Sequence, residues 1–286
     1  LYQMKEIGFI KIIELFNWLG LPFSLFCLCY SLLTVLLVCC FIEKYSPYVY
    51  LSLFIYYALG NYFFSSFNAM RQALAVAIFI NSLSLVSEKK LWKYSFNVIV
   101  SACCVHFSSL ILLPLYFLLR KRYATIVKII VICGTVVLSK FVVQLIAISP
   151  YRIYLAFENF ASSVPLTFYL IGGIAVFTFL YSLKHPEWEK KHLILSNMNL
   201  ATMLLLCLLF LYNGTQLVMI FNRILSYFTM IYIVVVPLLL RELYFVSNRK
   251  LIIIMISCFF FVLCSWSLMQ NGELNNMIPY KTIFNR

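Results

Sequence analysis

The chain has 286 residues, of which 64% are apolar and 11% are charged, whereas an ordinary soluble domain has about 25% charged residues. This composition excludes a chain whose whole surface is solvated by water. Continuous apolar runs close to the roughly 18 residues needed to cross a bilayer predict membrane-spanning helices. The net charge of +13 does not indicate nucleic-acid binding, because the basic residues stand in short clusters between the apolar runs, as in a membrane protein.

The residue types that most often bind metals in proteins are sparse or badly placed in this chain. It contains no Asp, which argues against a Mg²⁺ centre held by carboxylates. Most of the ten cysteines lie inside apolar runs, where a thiol packs as a small hydrophobic group. We therefore expect neither a metal nor a cofactor, and no disulfide framework.

The predicted elements begin with an amphipathic helix at the membrane interface, over residues 1–20. Because the first residue is Leu1 rather than Met, we expect the natural protein to have a further N-terminal part. The apolar runs then predict about eight full transmembrane helices within a single domain over residues 1–286. These helices lie at about residues 21–42, 47–66, 71–86, 124–148, 165–183, 193–212, 224–240 and 251–269.

Residues 94–119 form one more apolar segment, which we predict to enter the membrane and return as a re-entrant hairpin. Basic clusters stand at both of its ends, at residues 89–93 and 120–122, and such clusters belong on the cytoplasmic side. A hairpin broken near residues 105–109 keeps both clusters inside and places the 149–164 loop outside. A tilted single crossing is the alternative, and it contradicts the charge bias.

Two arginines are predicted at the outer ends of helices. Polar ionisable groups at the rim of a bilayer mark functional sites by default. Arg71, followed by Gln72, stands where the helix N-terminus and the guanidinium both favour an anion such as a phosphate. Arg223, preceded by Asn222, repeats this arrangement at the predicted start of the 224–240 helix. An arginine that merely reaches to the membrane interface is the alternative for both positions.

Three further residues are candidates for chemistry. His106 lies at the predicted break, and imidazole is the side chain most readily used as a general base near neutral pH; a packed histidine with one hydrogen bond is the alternative. A Ser–His nucleophile pair is a weaker interpretation, because no nucleophile elbow is present. Arg152 and Glu158 lie in the external loop, whose aromatic and polar residues are typical of a sugar-contacting surface. An interfacial aromatic belt, with an ion pair between these two residues, is the alternative there.

Several short segments carry a family resemblance. They are Arg71–Ala75, Glu88–Lys90, Val105–Ile111, Pro114–Tyr116, Asn222–Ile224, Ser226–Phe228 and Ile278–Lys281. In order and spacing they resemble the EpsG-like, Wzy-type polysaccharide polymerases. The resemblance implies an all-α, polytopic, GT-C-like polymerase and a metal-independent glycosyltransferase of the bacterial inner membrane. Such an enzyme polymerises oligosaccharide repeat units carried on undecaprenyl pyrophosphate into capsular, O-antigen or exopolysaccharide at the outer face.

The resulting hypothesis gives each candidate residue a role. The groups predicted to bind the pyrophosphate or the glycan are Arg71, Gln72, Arg152, Asn222 and Arg223. His106 or Glu158 then deprotonates the acceptor hydroxyl. The predicted partners are the lipid-linked glycan, membrane lipid, a flippase and a chain-length regulator, but no nucleic acid.

Two other functions remain as alternatives to polymerisation. A flippase or exporter of lipid-linked oligosaccharides would also use outward arginines, but it should show internal repeats and midplane charges, and neither is visible in the sequence. A membrane acyltransferase using His106 would need a cytoplasmic acyl donor, whereas the candidate residues are predicted to lie outside.

Overall fold

The computed structural model describes residues 7–59, 62–64, 66, 69–149, 152, 163–243 and 249–271, which form helices and contain no strand. The helices are α1 (Ile7–Trp18), α2 (Phe23–Tyr45), α3 (Val49–Ala58), α4 (Met70–Ser87), α5 (Leu91–Cys104), a 3₁₀ helix (Phe107–Leu112), α6 (Leu115–Leu118), α7 (Thr125–Val137), α8 (Ser139–Ile148), α9 (Leu166–Lys184), α10 (Pro186–Lys191), α11 (Leu193–Leu211), α12 (Leu217–Thr229), α13 (Tyr232–Glu242) and α14 (Arg249–Asn271). A helix pairs its backbone polar groups within one segment, as lipid demands.

Four helices, α2, α4, α9 and α11, are long and apolar enough to cross a membrane. Two further pairs, α7 with α8 and α12 with α13, pass the same test together, although they bend by 64° and 47°. The described part of the chain therefore contains four to six candidate spans by length and composition. The protein is an all-helical, multi-pass membrane protein, and the count of eight full crossings stays a prediction.

The segment predicted as one helix over residues 124–148 is broken at Leu138. Gly134 precedes the break, and glycine is a weak helix former. The Thr135 hydroxyl donates to the carbonyl oxygen of Val131 at 2.8 Å, and this kind of back-bonding bends helices. The span predicted over residues 124–148 therefore consists of two helices bent by 64°, and hydrophobicity alone does not indicate such a bend.

The chain forms two compact units that interleave along the sequence. The first unit comprises Leu1–Asn81, Cys103–His106 and Tyr232–Arg286, and the second comprises Ser82–Ala102 and Phe107–Ile231. In the first unit, α3 packs against α2, α13 and α14, and α1 packs on α2. In the second unit, α11 is the central helix and contacts α7, α9, α10 and α12. The single domain over residues 1–286 stays a prediction.

Amide side chains join helices within each unit. Asn81 Nδ2 donates to the carbonyl oxygen of Leu37 at 2.8 Å and joins α4 to α2. Asn199 Nδ2 donates to the carbonyl oxygen of Ala175 at 3.1 Å and joins α11 to α9. Lipid tails are as apolar as leucine, so apolar contact alone gives helices little preference for one another. These polar bonds therefore select which helices become neighbours.

A buried ion pair joins α7 to α10. Lys128 Nζ lies 2.7 Å from Glu189 Oε1, and the two side chains are 2% and 7% exposed. Each charge needs the other, because an unpaired charge in such surroundings is costly. Lys128 lies in the first turn of α7 and Glu189 lies in the short helix α10.

We expect Lys128→Met to lower the melting temperature of the detergent-solubilised protein clearly, because it leaves a buried carboxylate unpaired, at a cost of about 3–5 kcal/mol. Glu189→Leu should act in the same direction, because it leaves the ammonium unpaired. The double variant Lys128→Met/Glu189→Leu should recover most of the lost stability, because two apolar side chains need no counter-charge. Fluorescence-detected size exclusion after heating measures all three variants.

The matched control is Lys90→Gln, which breaks the 2.6 Å ion pair with Glu88. That pair has exposed side chains, at 49% and 43%, and exposed ion pairs contribute little to stability. Equal losses in Lys90→Gln and Lys128→Met would contradict the assignment of a buried structural pair.

Candidate functional site

The segment predicted as a hairpin, residues 94–119, reverses direction at its middle. Helix α5 ends at Cys104, His106 lies outside any helix, and the 3₁₀ helix follows. The Tyr94 hydroxyl donates to the carbonyl oxygen of Leu112 at 2.6 Å. A continuous helix would separate these two residues by about 27 Å, at 1.5 Å per residue. The two arms of this hairpin therefore lie antiparallel, while their placement relative to the membrane stays a prediction.

The base of the hairpin is held by aromatic and amide contacts. The rings of Tyr94 and Tyr116, one from each arm, lie 5.5 Å apart between their centres. Asn197 Nδ2 on α11 donates to the carbonyl oxygens of Leu119 and Lys121, at 2.9 and 2.8 Å. These bonds hold the end of the second arm and the basic cluster 120–122 that follows it.

A chain of four hydroxyl groups joins the two arms to α12. Ser101 Oγ on the first arm lies 3.0 Å from Ser109 Oγ on the second arm. The Tyr227 hydroxyl on α12 lies 3.3 Å from Ser109 Oγ and 3.0 Å from Ser108 Oγ. Tyr227, Ser101 and Ser109 are at most 2% exposed. Buried hydroxyls need such partners, and here those partners are one another.

Arg223 does not lie at the start of its helix, and this part of the prediction was wrong. Helix α12 begins at Leu217, so Arg223 and Asn222 lie in its second turn. The backbone N–H of Leu217 donates to Thr215 Oγ1 at 3.3 Å, and the apolar face of the helix starts there rather than at 224. A helix N-terminus therefore does not contribute to an anion site at Arg223. The exposed guanidinium itself remains.

Arg71 lies in the first turn of its helix, as predicted. Helix α4 begins at Met70, and Gln72 follows as a half-buried residue. The guanidinium carbon of Arg71 lies 4.9 Å from the centre of the Phe9 ring on α1. This geometry is a cation–π contact, which holds the guanidinium in place without neutralising its charge.

Helix α1 also reaches the tip of the hairpin. A Cβ atom at Gly8 would lie 2.5 Å from Cys104 Sγ and 2.8 Å from Cys104 Cα, so only glycine allows this approach. Within the first unit, α1 therefore contacts Arg71 through Phe9 and contacts the residues just before His106 through Gly8. The amphipathic pattern of residues 1–20 predicts a helix at the membrane interface and gives no sign of this contact. A small residue within a bulky amphipathic helix was the available signal.

Arg152 is exposed, and its backbone N–H donates to the carbonyl oxygen of Ser149 at 3.1 Å. Glu158 and most of the 149–164 loop lie outside the described residues. The predicted sugar-contacting surface and the ion pair between Arg152 and Glu158 therefore stay predictions.

The described site residues fall into two groups. Arg71, Gln72 and His106 belong to the first unit, and Arg152, Asn222 and Arg223 belong to the second. Helix α1 contacts Arg71 and also Cys104, which lies two residues before His106. Arg223 lies one turn before the tyrosine that holds the second arm of the hairpin.

The long apolar helices of the described residues define a multi-pass membrane protein. The model of the EpsG family matches residues 2–282, and the chain belongs to this family. Membership connects the chain with polysaccharide biosynthesis at a membrane. A comparison with curated proteins found no match, and a comparison with solved structures found none either.

The hairpin predicts that its two ends face the same side of the membrane. Lys89→Cys and Arg122→Cys, each in a chain whose ten native cysteines are replaced, should react with a membrane-impermeant maleimide only from the cytoplasmic side. Both native side chains are exposed, so reagent access is not limited by packing. Trp18→Cys, at an 80% exposed position, is the control for the outer side. Labelling of positions 89 and 122 from opposite sides would refute the hairpin topology.

The close approach of α1 predicts a difference between two glycine variants. Gly8→Ala should be less stable than Gly173→Ala by about 1–3 kcal/mol, because a Cβ at Gly173 meets nothing within 4 Å. Both glycines are helical, so the gain in helix propensity is shared and cancels. Thermal melting in detergent measures the difference, and faster maleimide labelling of Cys104 in Gly8→Ala should accompany it. Identical melting and labelling in the two variants would show that α1 does not pack on the hairpin.

Proposed function

We propose that this protein polymerises oligosaccharide repeat units, carried on undecaprenyl pyrophosphate, into capsular, O-antigen or exopolysaccharide at the outer face of the bacterial inner membrane. The single observation that carries the proposal is the packing of α1, which brings Arg71 and the residues just before His106 together. A cationic group for a diphosphate and a candidate base for a hydroxyl are the two parts that glycosyl transfer from a lipid diphosphate needs.

In the proposed reaction, the oxygen of an acceptor hydroxyl attacks C1 of the sugar at the end of the lipid-linked chain. The bond between C1 and the pyrophosphate oxygen breaks, and the pyrophosphate leaves with the electron pair. Arg71 and Arg223 bind the pyrophosphate and stabilise the negative charge that develops on it. Guanidinium groups suit this task because they bind phosphate oxygens in a bidentate manner and stay charged. The enzyme is therefore proposed to work without a metal.

The proton of the acceptor hydroxyl goes to His106 or Glu158. His106 is half-buried at the break of the hairpin, outside any helix, so its imidazole is not confined to a helix face. A base positioned within hydrogen-bond distance of the hydroxyl contributes about 10²–10⁴-fold to such a step. Pyrophosphate is a good leaving group, so no general acid is needed.

The remaining candidates are proposed to bind substrate. The amide groups of Gln72 and Asn222 donate hydrogen bonds to phosphate or sugar oxygens beside the two arginines. Arg152 belongs to the external loop, where aromatic faces can stack on sugar rings.

The proposed architecture is GT-C-like, with eight crossings and a hairpin that enters from the cytoplasmic side. Four to six candidate spans among the described residues are compatible with this arrangement. The partners proposed for the working enzyme are membrane lipid, a flippase that delivers the repeat units and a regulator of chain length. A lipid-linked oligosaccharide flippase is the alternative function, and the phenotype described below separates the two.

In a strain lacking the protein, plasmid-borne Arg71→Ala, Arg223→Ala and His106→Ala should each fail to restore long surface polysaccharide. We expect a loss of about 100-fold or more in long chains, since charge stabilisation and proton transfer act in the transition state. Single repeat units should still reach the surface. Arg71→Lys should restore little, because lysine keeps the charge but lacks the planar fork. Gel electrophoresis of surface glycan measures chain length.

Arg122→Ala is the matched control, because it removes an exposed arginine that is predicted to lie on the cytoplasmic side. It should restore full chain length. Unaltered long chains in well-expressed Arg71→Ala, Arg223→Ala and His106→Ala would remove these residues from the mechanism. A surface with no repeat units at all in the deletion strain would favour the flippase instead.

A further inference from the structure

The hydroxyl of Tyr227 lies at the centre of the four-hydroxyl chain within the second unit. It is within hydrogen-bond distance of both Ser108 Oγ and Ser109 Oγ, at 3.0 and 3.3 Å. A phenol can donate one hydrogen bond and accept others, so it can serve both serines at once. The ring is fully buried, so water does not compete for the hydroxyl. Tyr227 is thus a fixed anchor for these two serines.

The two serines directly follow the break between the two arms of the hairpin. They belong to the first turn of the 3₁₀ helix, directly after the break that carries His106. A break removes the backbone hydrogen bonds that would otherwise continue from one arm to the next, so side-chain bonds must define the direction in which the chain leaves it. The bonds to Tyr227 do this for the second arm.

Tyr227 lies one helical turn after Arg223 on α12. The two residues are four positions apart on α12, so they share one side of the helix and are neighbours one turn apart. Any restraint that Tyr227 places on the turn after His106 is therefore a restraint relative to Arg223. None of the roles in the proposed reaction uses this tyrosine.

We propose that Tyr227 is a positioning residue, whose hydroxyl holds the turn that follows His106 in register with Arg223. The inference rests on the proposed function, in which these two residues act on one reaction. Tyr227 itself does not touch the substrate, and it acts through Ser108 and Ser109.

The test is Tyr227→Phe, which keeps the buried ring and removes only the hydroxyl. Long surface polysaccharide should fall about threefold to tenfold, the range that corresponds to loss of one neutral hydrogen bond. The double variant Ser108→Ala/Ser109→Ala should cause a similar loss. Adding Tyr227→Phe to it should cause no further loss, because groups that act through one another are not additive.

Tyr94→Phe is the matched control, because it also removes one buried hydroxyl bond from the same hairpin, at the base rather than next to the break. It should keep long polysaccharide while losing as much thermal stability as Tyr227→Phe. Full chain length in a well-expressed Tyr227→Phe, or an equal loss of polymer in Tyr94→Phe, would overturn the inference.

A second readout does not depend on glycan synthesis. Diethyl pyrocarbonate labels histidines, and peptide mass spectrometry separates His106 from His185. Tyr227→Phe should change the labelling rate at His106 about threefold or more and leave His185 unchanged, whereas Tyr94→Phe should change neither. If the deletion strain makes normal surface glycan, the proposed function fails, and the labelling rate still decides whether Tyr227 fixes the turn after His106. An unchanged labelling rate at His106 would overturn the inference that Tyr227 holds the turn after His106.

Discussion

The structure depends on one constraint: where a helix breaks in apolar surroundings, its backbone and hydroxyl groups must find partners within the protein. The hairpin over residues 94–119 meets this constraint at both ends. At its base, Tyr94 donates to the second arm and Asn197 holds the turn that follows. Next to its break, the hydroxyl chain closes on Tyr227. The break at His106 is therefore a defined feature of the fold, because hydrogen bonds at both ends of the hairpin hold its two arms together.

The same constraint explains how the helices of each unit choose their neighbours. Many large apolar side chains face outward, and contact with lipid does not distinguish one helix from another. The distinctions come from the few polar groups that are buried, such as Asn81, Asn199 and the pair Lys128–Glu189. Each of them bonds to a partner on another helix.

The chemistry proposed for this EpsG-family protein depends on arginines rather than on carboxylates and a metal. A chain without Asp has few carboxylates with which to hold a divalent cation, and its exposed arginines can stabilise a diphosphate directly. Helix α1 makes two contacts near the candidate residues. Its Phe9 contacts Arg71 and its Gly8 contacts Cys104. Within the first unit, α1 therefore links the start of α4 to the tip of the hairpin.

The sequence by itself determined the class of the protein, most of the long helices and the reversal near His106. Apolar runs and the positions of basic clusters reflect the free-energy cost of moving charged and polar groups into lipid. That cost is a property of each residue, so it can be read from the sequence. Arg71 at a helix start was predictable for the same local reason. The family resemblance rested on short segments whose order along the chain needs no folding to be seen, and the match over residues 2–282 confirmed it.

Only the tertiary structure decided which side chains meet. The role of Tyr227 depends on serines more than a hundred residues away in the chain, and that of Gly8 on a cysteine in the hairpin. Helix α12 starts at Leu217, so Arg223 does not lie at a helix end as predicted. This start depends on an apolar face that is buried by packing. Periodicity along one segment carries no information about the partner that covers it, because contact between distant segments is a property of the folded chain.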